Sequence, residues 1–128
     1  MNPRLALAAV ALALAGAAHA QTPAPDLQID PKAPVYVTAH VDVTGDHIDQ
    51  AIVALKAYVA ASKIQPGAVR VEAVEEPRPN HFDLIEVWKD RAAYEAHLKS
   101  ASTIGFHDAI HPLRGSPFEE RLGVLIAR

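Results

Sequence analysis

Trp88 and His97 are two side chains of this 128-residue chain whose types and spacing could combine in one chemical site. An indole ring offers an apolar wall with one N–H donor, and an imidazole titrates near neutral pH, so it can take up or hold a proton. Both rings lie in the stretch NHFDLIEVWKDRAAYEAHLKS, residues 80–100, which alternates like a strand as far as Trp88 and then takes the spacing of a helix. The alternative is that both have purely structural roles, with Trp88 in the hydrophobic core and His97 at the boundary between core and surface.

Glu86 shares the predicted strand face of Trp88. A buried carboxylate needs a partner, and we expect an arginine such as Arg70 to provide it; a role as a second acid or base is the alternative. Asn80 follows a proline turn, where asparagine commonly makes a local hydrogen bond.

His107 and His111 stand four residues apart, a spacing that places both on one helix face. Two such imidazoles bind zinc or copper when a third ligand, for example His97, comes near. The segment is short and contains no H-E-x-x-H pattern. A solvated histidine pair is therefore the interpretation we favour, and no metal site is predicted.

The elements that must position these residues are read from the period of the apolar side chains. Strand spacing covers residues 35–43. Helical spacing begins at Asp46, where Thr44 or Asp46 can cap the first turn, and its apolar stripe consists of Ile48, Ile52, Leu55 and Val59. Two further strands follow, with the sequences AVRVEAVEE and HFDLIEVWK. Asp90 caps a second helix, a short helical piece closes at Pro112 and Gly115, and a last strand spans Phe118 to Ala127. This β-α-β-β-α-β order predicts an α+β, ferredoxin-like domain whose open sheet face pairs in a homodimer.

Residues 1–20 have the pattern of a secretory signal peptide, with Arg4, an apolar run and an A-x-A site at Ala18 to Ala20. Residues 21–34 form a proline-rich tether, and residues 35–128 form the domain. We therefore expect a periplasmic or secreted protein without a membrane anchor after cleavage. Cysteine is absent, which excludes disulfides and thiol chemistry, and a net charge of -3 offers no footprint for nucleic acid.

The stretch that contains both rings resembles the antibiotic biosynthesis monooxygenase (ABM) domain. The resemblance is carried by N-x-F-x-L-x-E-x-W followed by A-x-x-x-H-L, here Asn80, Phe82, Leu84, Glu86, Trp88, Ala93, His97 and Leu98. The segment PGAVRVE is similar to the family's P-G-x-x-x-Y/F-x segment, and HPLRGSPFEERL is similar to the tail of its quinol monooxygenase branch. The resemblance implies a dimeric α/β barrel that oxygenates a small quinol, phenol or anthrone with dioxygen and without a metal or organic cofactor.

The resemblance also implies roles for individual residues. His97 would act as base or hydrogen-bond partner, Trp88 as the aromatic wall and Asn80 as the group that orients substrate or dioxygen. The substrate contacts implied are His40, Glu86, Tyr94 and Phe106.

A non-catalytic module that binds a small hydrophobic ligand or haem in the same pocket is the alternative function. Haem-degrading relatives have an asparagine on the first strand, where this chain has Thr38, His40 and Asp42, so haem degradation is not expected. The chain has no phosphate loop, dinucleotide fingerprint or serine nucleophile elbow. An oxygenase of this kind would draw its electrons from the substrate.

Overall fold

The period-two and helical segments of the sequence form seven regular elements in a computed structural model, which describes residues 30–128. The predicted signal peptide, 1–20, and the tether as far as residue 29 lie outside the described residues. The elements are β1 (Val35–Asp42), α1 (Ile48–Lys63), β2 (Ala68–Glu75), β3 (His81–Trp88), α2 (Arg91–Leu98), α3 (Ala101–Ile110) and β4 (Glu119–Gly123). Short 3₁₀ turns at Gly45–His47 and His111–Leu113 precede α1 and follow α3.

The four strands form one antiparallel sheet in the order β2-β3-β1-β4. Central strand β1 pairs with β3 so that Val35 lies opposite Trp88 and Val37 opposite Glu86. The α+β, ferredoxin-like prediction is confirmed. Among residues 30–128, no helix combines the length and apolar character needed to cross a membrane.

The helices cover one face of the sheet, and strand alternation decides which residues lie beneath them. Val35, Val37, Ala39 and Val41 of β1 are buried on this inner face, as predicted. On β3 the inner face carries Phe82, Leu84, Glu86 and Trp88, all buried. The side chains between them, including His40 and Asp83, lie on the outer face.

Helix α1 differs from the prediction in its start and in its buried stripe. The 3₁₀ turn delays the helix to Ile48, and its N-cap is His47, so the capping predicted for Thr44 or Asp46 is wrong. The buried residues are Ala51, Leu55, Tyr58 and Ser62, while Ile48, Ile52 and Val59 are half-buried. Small side chains at Ala51 and Ser62 let this edge of the helix approach the sheet closely, which rotates Tyr58 into the core.

The second helix begins as predicted, since Asp90 Oδ1 accepts a hydrogen bond from the backbone N–H of Ala93 at 2.9 Å. The last strand is shorter than predicted and ends at Gly123. Gly123 pairs with Tyr36, and β1 begins only one residue before Tyr36. The residues after Gly123 therefore have almost no part of β1 left as a pairing partner.

Candidate functional site

The rings of Trp88 and His97 stack on each other, with centroids 4.2 Å apart and planes inclined by 25°. Trp88 is the last residue of β3, and the Asp90 cap starts α2 immediately afterwards. The helix then turns back over the sheet and places His97 above the indole. Both side chains are almost fully buried, with 0% and 2% of their surfaces exposed.

Glu86 lies beside these rings and is 3% exposed. The Tyr58 hydroxyl lies 2.5 Å from its Oε1, and the Trp88 indole N–H donates to its Oε2 at 2.8 Å. The predicted pairing with Arg70 is wrong, because Arg70 lies on the outer face opposite Val87, where it pairs with a neighbouring glutamate. Two neutral donors thus replace the expected cation.

His97 uses both ring nitrogens. Its Nε2 lies 2.9 Å from the Tyr58 hydroxyl oxygen and 3.6 Å from Glu86 Oε2. Its Nδ1 lies 2.9 Å from the Gln65 amide oxygen and 3.2 Å from the Thr103 hydroxyl. We call Tyr58, Glu86, Trp88 and His97 the buried cluster.

The proton positions in the buried cluster follow from counting donors. Tyr58 has a single hydroxyl proton, and its short contact directs that proton to Glu86. The tyrosine oxygen therefore accepts from His97, so a neutral His97 carries its proton on Nε2. Nδ1 is then an acceptor for the Thr103 hydroxyl, while its contact with the Gln65 amide oxygen is a hydrogen bond only in the other tautomer, with the proton on Nδ1.

Burial controls the charge of the cluster. Burial, with a smaller contribution from the charge of His107, lowers the pKa of His97 to about 4 against the opposing effect of the Glu120 charge. Burial also raises the pKa of the Tyr58 hydroxyl far above its usual value, and the charge of Glu86 reinforces this shift. At neutral pH the imidazole and the phenol are therefore both uncharged.

A groove of about 270 Å³ runs between α1 and α3 beside the buried cluster. We call it the helix groove; its lining is mostly small, namely Ala54, Ala57, Ala61, Ser102, Gly105 and Ala109, together with the aromatic rings of Tyr58 and Phe106. These two rings lie 4.4 Å apart and form an aromatic floor. The size and apolar lining suit a small planar aromatic molecule.

A row of hydroxyl groups leads from the helix groove to His97. Ser102, which lines the groove, lies 3.1 Å from the Ser100 hydroxyl, and Ser100 lies 2.9 Å from the Thr103 hydroxyl. The Thr103 hydroxyl then contacts the His97 imidazole, at 3.2 Å from Nδ1 and 3.3 Å from Nε2. Gln65 supports the row by donating to Ser102 at 2.8 Å. We call Ser102, Ser100 and Thr103 the hydroxyl chain.

Two of the residues predicted for the site lie away from the buried cluster. His40 lies on the outer face of the sheet, because side chains alternate along β1 and those of Val41 and its inward-pointing neighbours lie on the inner face. Asn80 occupies the β2–β3 turn with a φ of 71°, and its carbonyl accepts from the Val43 N–H at 2.9 Å. Six residues of strand, about 20 Å, separate it from Glu86. The structure therefore supports a turn role for Asn80.

The remaining predicted residues divide between the cluster and its surroundings. His97, Trp88 and Glu86 come together, and Phe106 lies on the floor of the helix groove. Tyr94 instead hydrogen-bonds Glu120 of β4. His107 packs edge-on against a phenylalanine ring rather than joining His97 in a ligand set.

Sequence reasoning missed Tyr58, Gln65 and Thr103. One signal was available for Tyr58, since it stands three residues after Leu55 on the apolar side of α1, where a phenol hydroxyl needs a buried partner. Gln65 and Thr103 have no comparable signal. Gln65 lies in the turn after α1, and Thr103 belongs to a helix whose packing depends on the whole fold.

An antiparallel four-stranded sheet with helices on one face, and a histidine–carboxylate cluster between them, defines a ferredoxin-like protein with a buried polar site. The model of the family described as antibiotic biosynthesis monooxygenase matches residues 34–109. The chain belongs to this family, as the resemblance predicted. Its placement in the quinol branch stays a prediction.

Solved structures share the fold. Rv0793 of Mycobacterium tuberculosis superposes with a TM-score of 0.72 at 18% identity, covering 75% of this chain and 98% of that one. PA3566 of Pseudomonas aeruginosa superposes with a TM-score of 0.69 at 21% identity, covering 77% of this chain and 99% of that one. At these identities the likeness establishes the fold alone. An uncharacterized Synechocystis protein, sll1783, is 27% identical over 104 residues, covering 78% of this chain and 71% of that protein.

Proposed function

We propose that the protein is a monooxygenase that inserts one atom of dioxygen into a small electron-rich aromatic of the quinol, phenol or anthrone type, without a metal or organic cofactor. Family membership supports the reaction class. The observation that carries the proposal is a continuous hydrogen-bonded path from the helix groove to a buried carboxylate. Along this path a bound phenol can lose its proton.

The outer half of the path is the hydroxyl chain. A hydroxyl group both accepts and donates, so it can receive a proton from one neighbour while passing its own to the next. A substrate hydroxyl bound beside Ser102 would deliver a proton through Ser100 and Thr103 to His97 Nδ1. Nδ1 is the nitrogen that carries no proton in the neutral ring, so it is free to accept.

The inner half of the path starts at the other imidazole nitrogen. As His97 accepts at Nδ1, its Nε2 proton passes to Tyr58, and the Tyr58 proton passes to Glu86. His97 and Tyr58 each receive one proton and pass one on, so both end the transfer neutral, and Glu86 changes from a carboxylate to an uncharged carboxylic acid. Because burial disfavours a lasting imidazolium or tyrosinate, the path conducts the proton without storing charge on the way.

The substrate anion then reduces dioxygen. One electron passes from the anion to dioxygen, the two radicals combine at carbon, and the hydroperoxide loses water to leave a carbonyl group. One oxygen atom enters the product and the other leaves as water, so the substrate supplies every electron. The aromatic floor of Tyr58 and Phe106 would hold the ring. Trp88 orients His97 from below and does not line the groove.

A homodimer and export to the periplasm or the medium belong to the same proposal. The outer sheet face supports pairing at one end, where Tyr36 and Ile85 are only half-buried. Covering that apolar end with a second copy would complete the core of a small domain. Light scattering of the purified protein at several concentrations measures the state directly.

The test is dissolved-oxygen consumption with a panel of reduced quinols, phenols and anthrones, each corrected for autoxidation. We expect wild-type protein to accelerate uptake, and His97→Gln or Tyr58→Phe to lower kcat about 100-fold, which is the usual contribution of a positioned proton-transfer group. Ser102→Ala should lower kcat with little change in the unfolding midpoint. Ser116→Ala is the matched control, since Ser116 binds Asp42 on the outer face.

The outcomes separate clearly. Uptake no faster than autoxidation across the panel would remove the proposed activity. Acceleration that survives both His97→Gln and Tyr58→Phe would keep the activity and reject the proton path. Circular dichroism of every variant establishes that the comparison is between folded proteins.

A further inference from the structure

The outer face of the sheet carries an imidazole and two carboxylates that converge on one point. His40 comes from β1, Asp83 from the neighbouring β3, and Glu76 follows β2 directly. One ligand atom from each residue lies within 4.8 Å of the other two. Three separate segments therefore contribute to the group, which we call the outer triad.

Asp83 Oδ1 is the unusual atom of the outer triad. This oxygen has no solvent access and no hydrogen bond, although the Asp83 side chain as a whole is 30% exposed and Nδ1 of His40 lies 2.6 Å away, an ion pair when His40 is protonated. The distance suits a hydrogen bond but the direction of the N–H does not. A carboxylate oxygen withdrawn from water without a donor is costly and needs a positive partner.

A neighbouring pair shows what a satisfied arrangement looks like on the same strands. His81 hydrogen-bonds Asp42 across the same ladder, and the Ser116 hydroxyl donates to the second Asp42 oxygen at 2.9 Å. Both pairs combine histidine and aspartate, and both lie on the outer face. Only the pair of the outer triad leaves a buried carboxylate oxygen without a donor.

The backbone holds the outer triad in place. His40 and Asp83 lie directly opposite each other in the β1–β3 ladder. The Glu76 N–H donates to the carbonyl of His81 at 2.9 Å, which closes the β2–β3 hairpin and keeps the Glu76 side chain beside Asp83. Arg78 lies 3.9 Å from Glu76 and is largely exposed, which is a weak contact.

We propose that the outer triad is a binding site for a divalent first-row transition cation, with Zn²⁺ as its reference ion. One imidazole nitrogen and two carboxylate oxygens form a ligand set that such ions accept, with water or an exogenous ligand in the remaining positions. The cation would satisfy Asp83 Oδ1 and replace the misdirected contact with His40. The site lies on the opposite side of the sheet from the buried cluster, so it is independent of the proposed oxygenation.

The experiment is a titration of tag-free protein with Zn²⁺ against a chromophoric chelator, together with Co²⁺ absorption as a report on the ligand set. We expect one cation per chain, and a loss of affinity of at least about tenfold in Asp83→Asn and His40→Gln, since even outer-shell changes at metal sites cost 10–100-fold. Glu75→Gln is the matched control, because Glu75 lies opposite Phe82 on the inner side of the ladder. His111→Gln is the control for an exposed histidine.

A second readout does not depend on affinity alone. Zn²⁺ should raise the unfolding midpoint of wild-type protein and of Glu75→Gln, but not that of Asp83→Asn. If Asp83→Asn fails to fold, Glu76→Gln in the exposed turn takes its place with the same expectation. Equal binding by wild type and the triad variants would show an adventitious ion only and overturn the proposal, as would the absence of binding by wild type.

Discussion

The imidazole of His97 lies flat against the indole of Trp88, 4.2 Å from centroid to centroid. This contact fixes the plane of the imidazole, and with it the directions of both ring nitrogens. Nε2 then points to Tyr58 and Nδ1 to the Thr103 side. The tryptophan therefore acts as a positioning residue for the histidine, which is a different role from the substrate wall expected from the sequence.

The buried His97 should make the protein less stable in acid. Its pKa falls from an ordinary value of 6.5 to about 4 on folding. Between these two values the unfolded chain binds more protons, so the free energy of unfolding rises with pH and is lost as the pH falls from 6.5 toward 4. At about 1.4 kcal/mol per pKa unit, the total effect is about 3 kcal/mol.

Urea unfolding across that pH window measures the effect. His97→Gln should flatten the slope, and His111→Gln, which changes an exposed histidine, should leave it unchanged. A slope that persists in His97→Gln would mean that another group titrates. Nitrogen-15 shifts of the imidazole provide a separate check on the tautomer, because the Tyr58–Glu86 contact places the proton on Nε2, whereas the contact with the Gln65 amide oxygen would place it on Nδ1.

Replacing Glu86 by leucine should destabilise the fold by about 3 kcal/mol, because it leaves two buried donors without an acceptor. These donors are the Tyr58 hydroxyl and the Trp88 indole N–H. The double variant Glu86→Leu/Tyr58→Phe removes one orphaned donor, so it should recover about 1 kcal/mol or more.

Denaturant unfolding of the complete double-mutant cycle tests this coupling. Glu72→Leu is the control, since Glu72 makes an exposed ion pair on the other face and should change stability little. Simple additivity of the Glu86 and Tyr58 variants would contradict the network.

The sequence predicts local structure here better than it predicts partners. The period of β1, the Asp90 cap and the closeness of Trp88 to His97 all depend on neighbours in the chain, and all are found. The partner of Glu86 comes from α1, whose rotation depends on small residues packed against the sheet. Whether Arg70 or Tyr58 is the partner of Glu86 can therefore be decided only from the three-dimensional packing.

The two misplaced site residues show the same limit from the other side. His40 belongs to the correct strand but to the outer face, and Asn80 belongs to the correct motif but to the far end of β3. A linear motif reports which residues are near in sequence, and alternation and strand length then separate them in space. The sheet face on which a motif residue lies and its position along the strand must both be known before the residue can be assigned to a site.

Gly67→Ala should destabilise the protein by about 2 kcal/mol or more, through both conformation and contact. Gly67 has a φ of +84°, and a Cβ at this position would lie 2.4 Å from the Cβ of Ala93 in α2. The close approach seats the start of α2 on the end of β3, where the Lys89 N–H donates to the Gly67 carbonyl at 2.8 Å.

Thermal unfolding distinguishes the two causes. Adding Ala93→Gly to Gly67→Ala removes the clash but not the backbone strain, so it should restore part of the loss beyond the intrinsic effect of Ala93→Gly alone. The absence of any such coupling would show that the contact between α2 and the Gly67 turn is unimportant for stability.

Filling the helix groove should slow the proposed oxygenation without harming the fold. Gly105 lies on α3 at the groove, and a Cβ there meets no atom within 4 Å. Gly105→Ala should therefore stabilise the helix by about 0.5–1 kcal/mol and preserve oxygen uptake. Gly105→Leu extends a larger side chain over the Tyr58–Phe106 floor, so kcat/KM should fall at least about tenfold with no loss of the unfolding midpoint. Because the two variants differ only in the volume placed in the groove, equal rates would locate substrate binding elsewhere. A loss of rate in Gly105→Leu alone would show that the substrate binds in the helix groove, from which the hydroxyl chain would carry its proton.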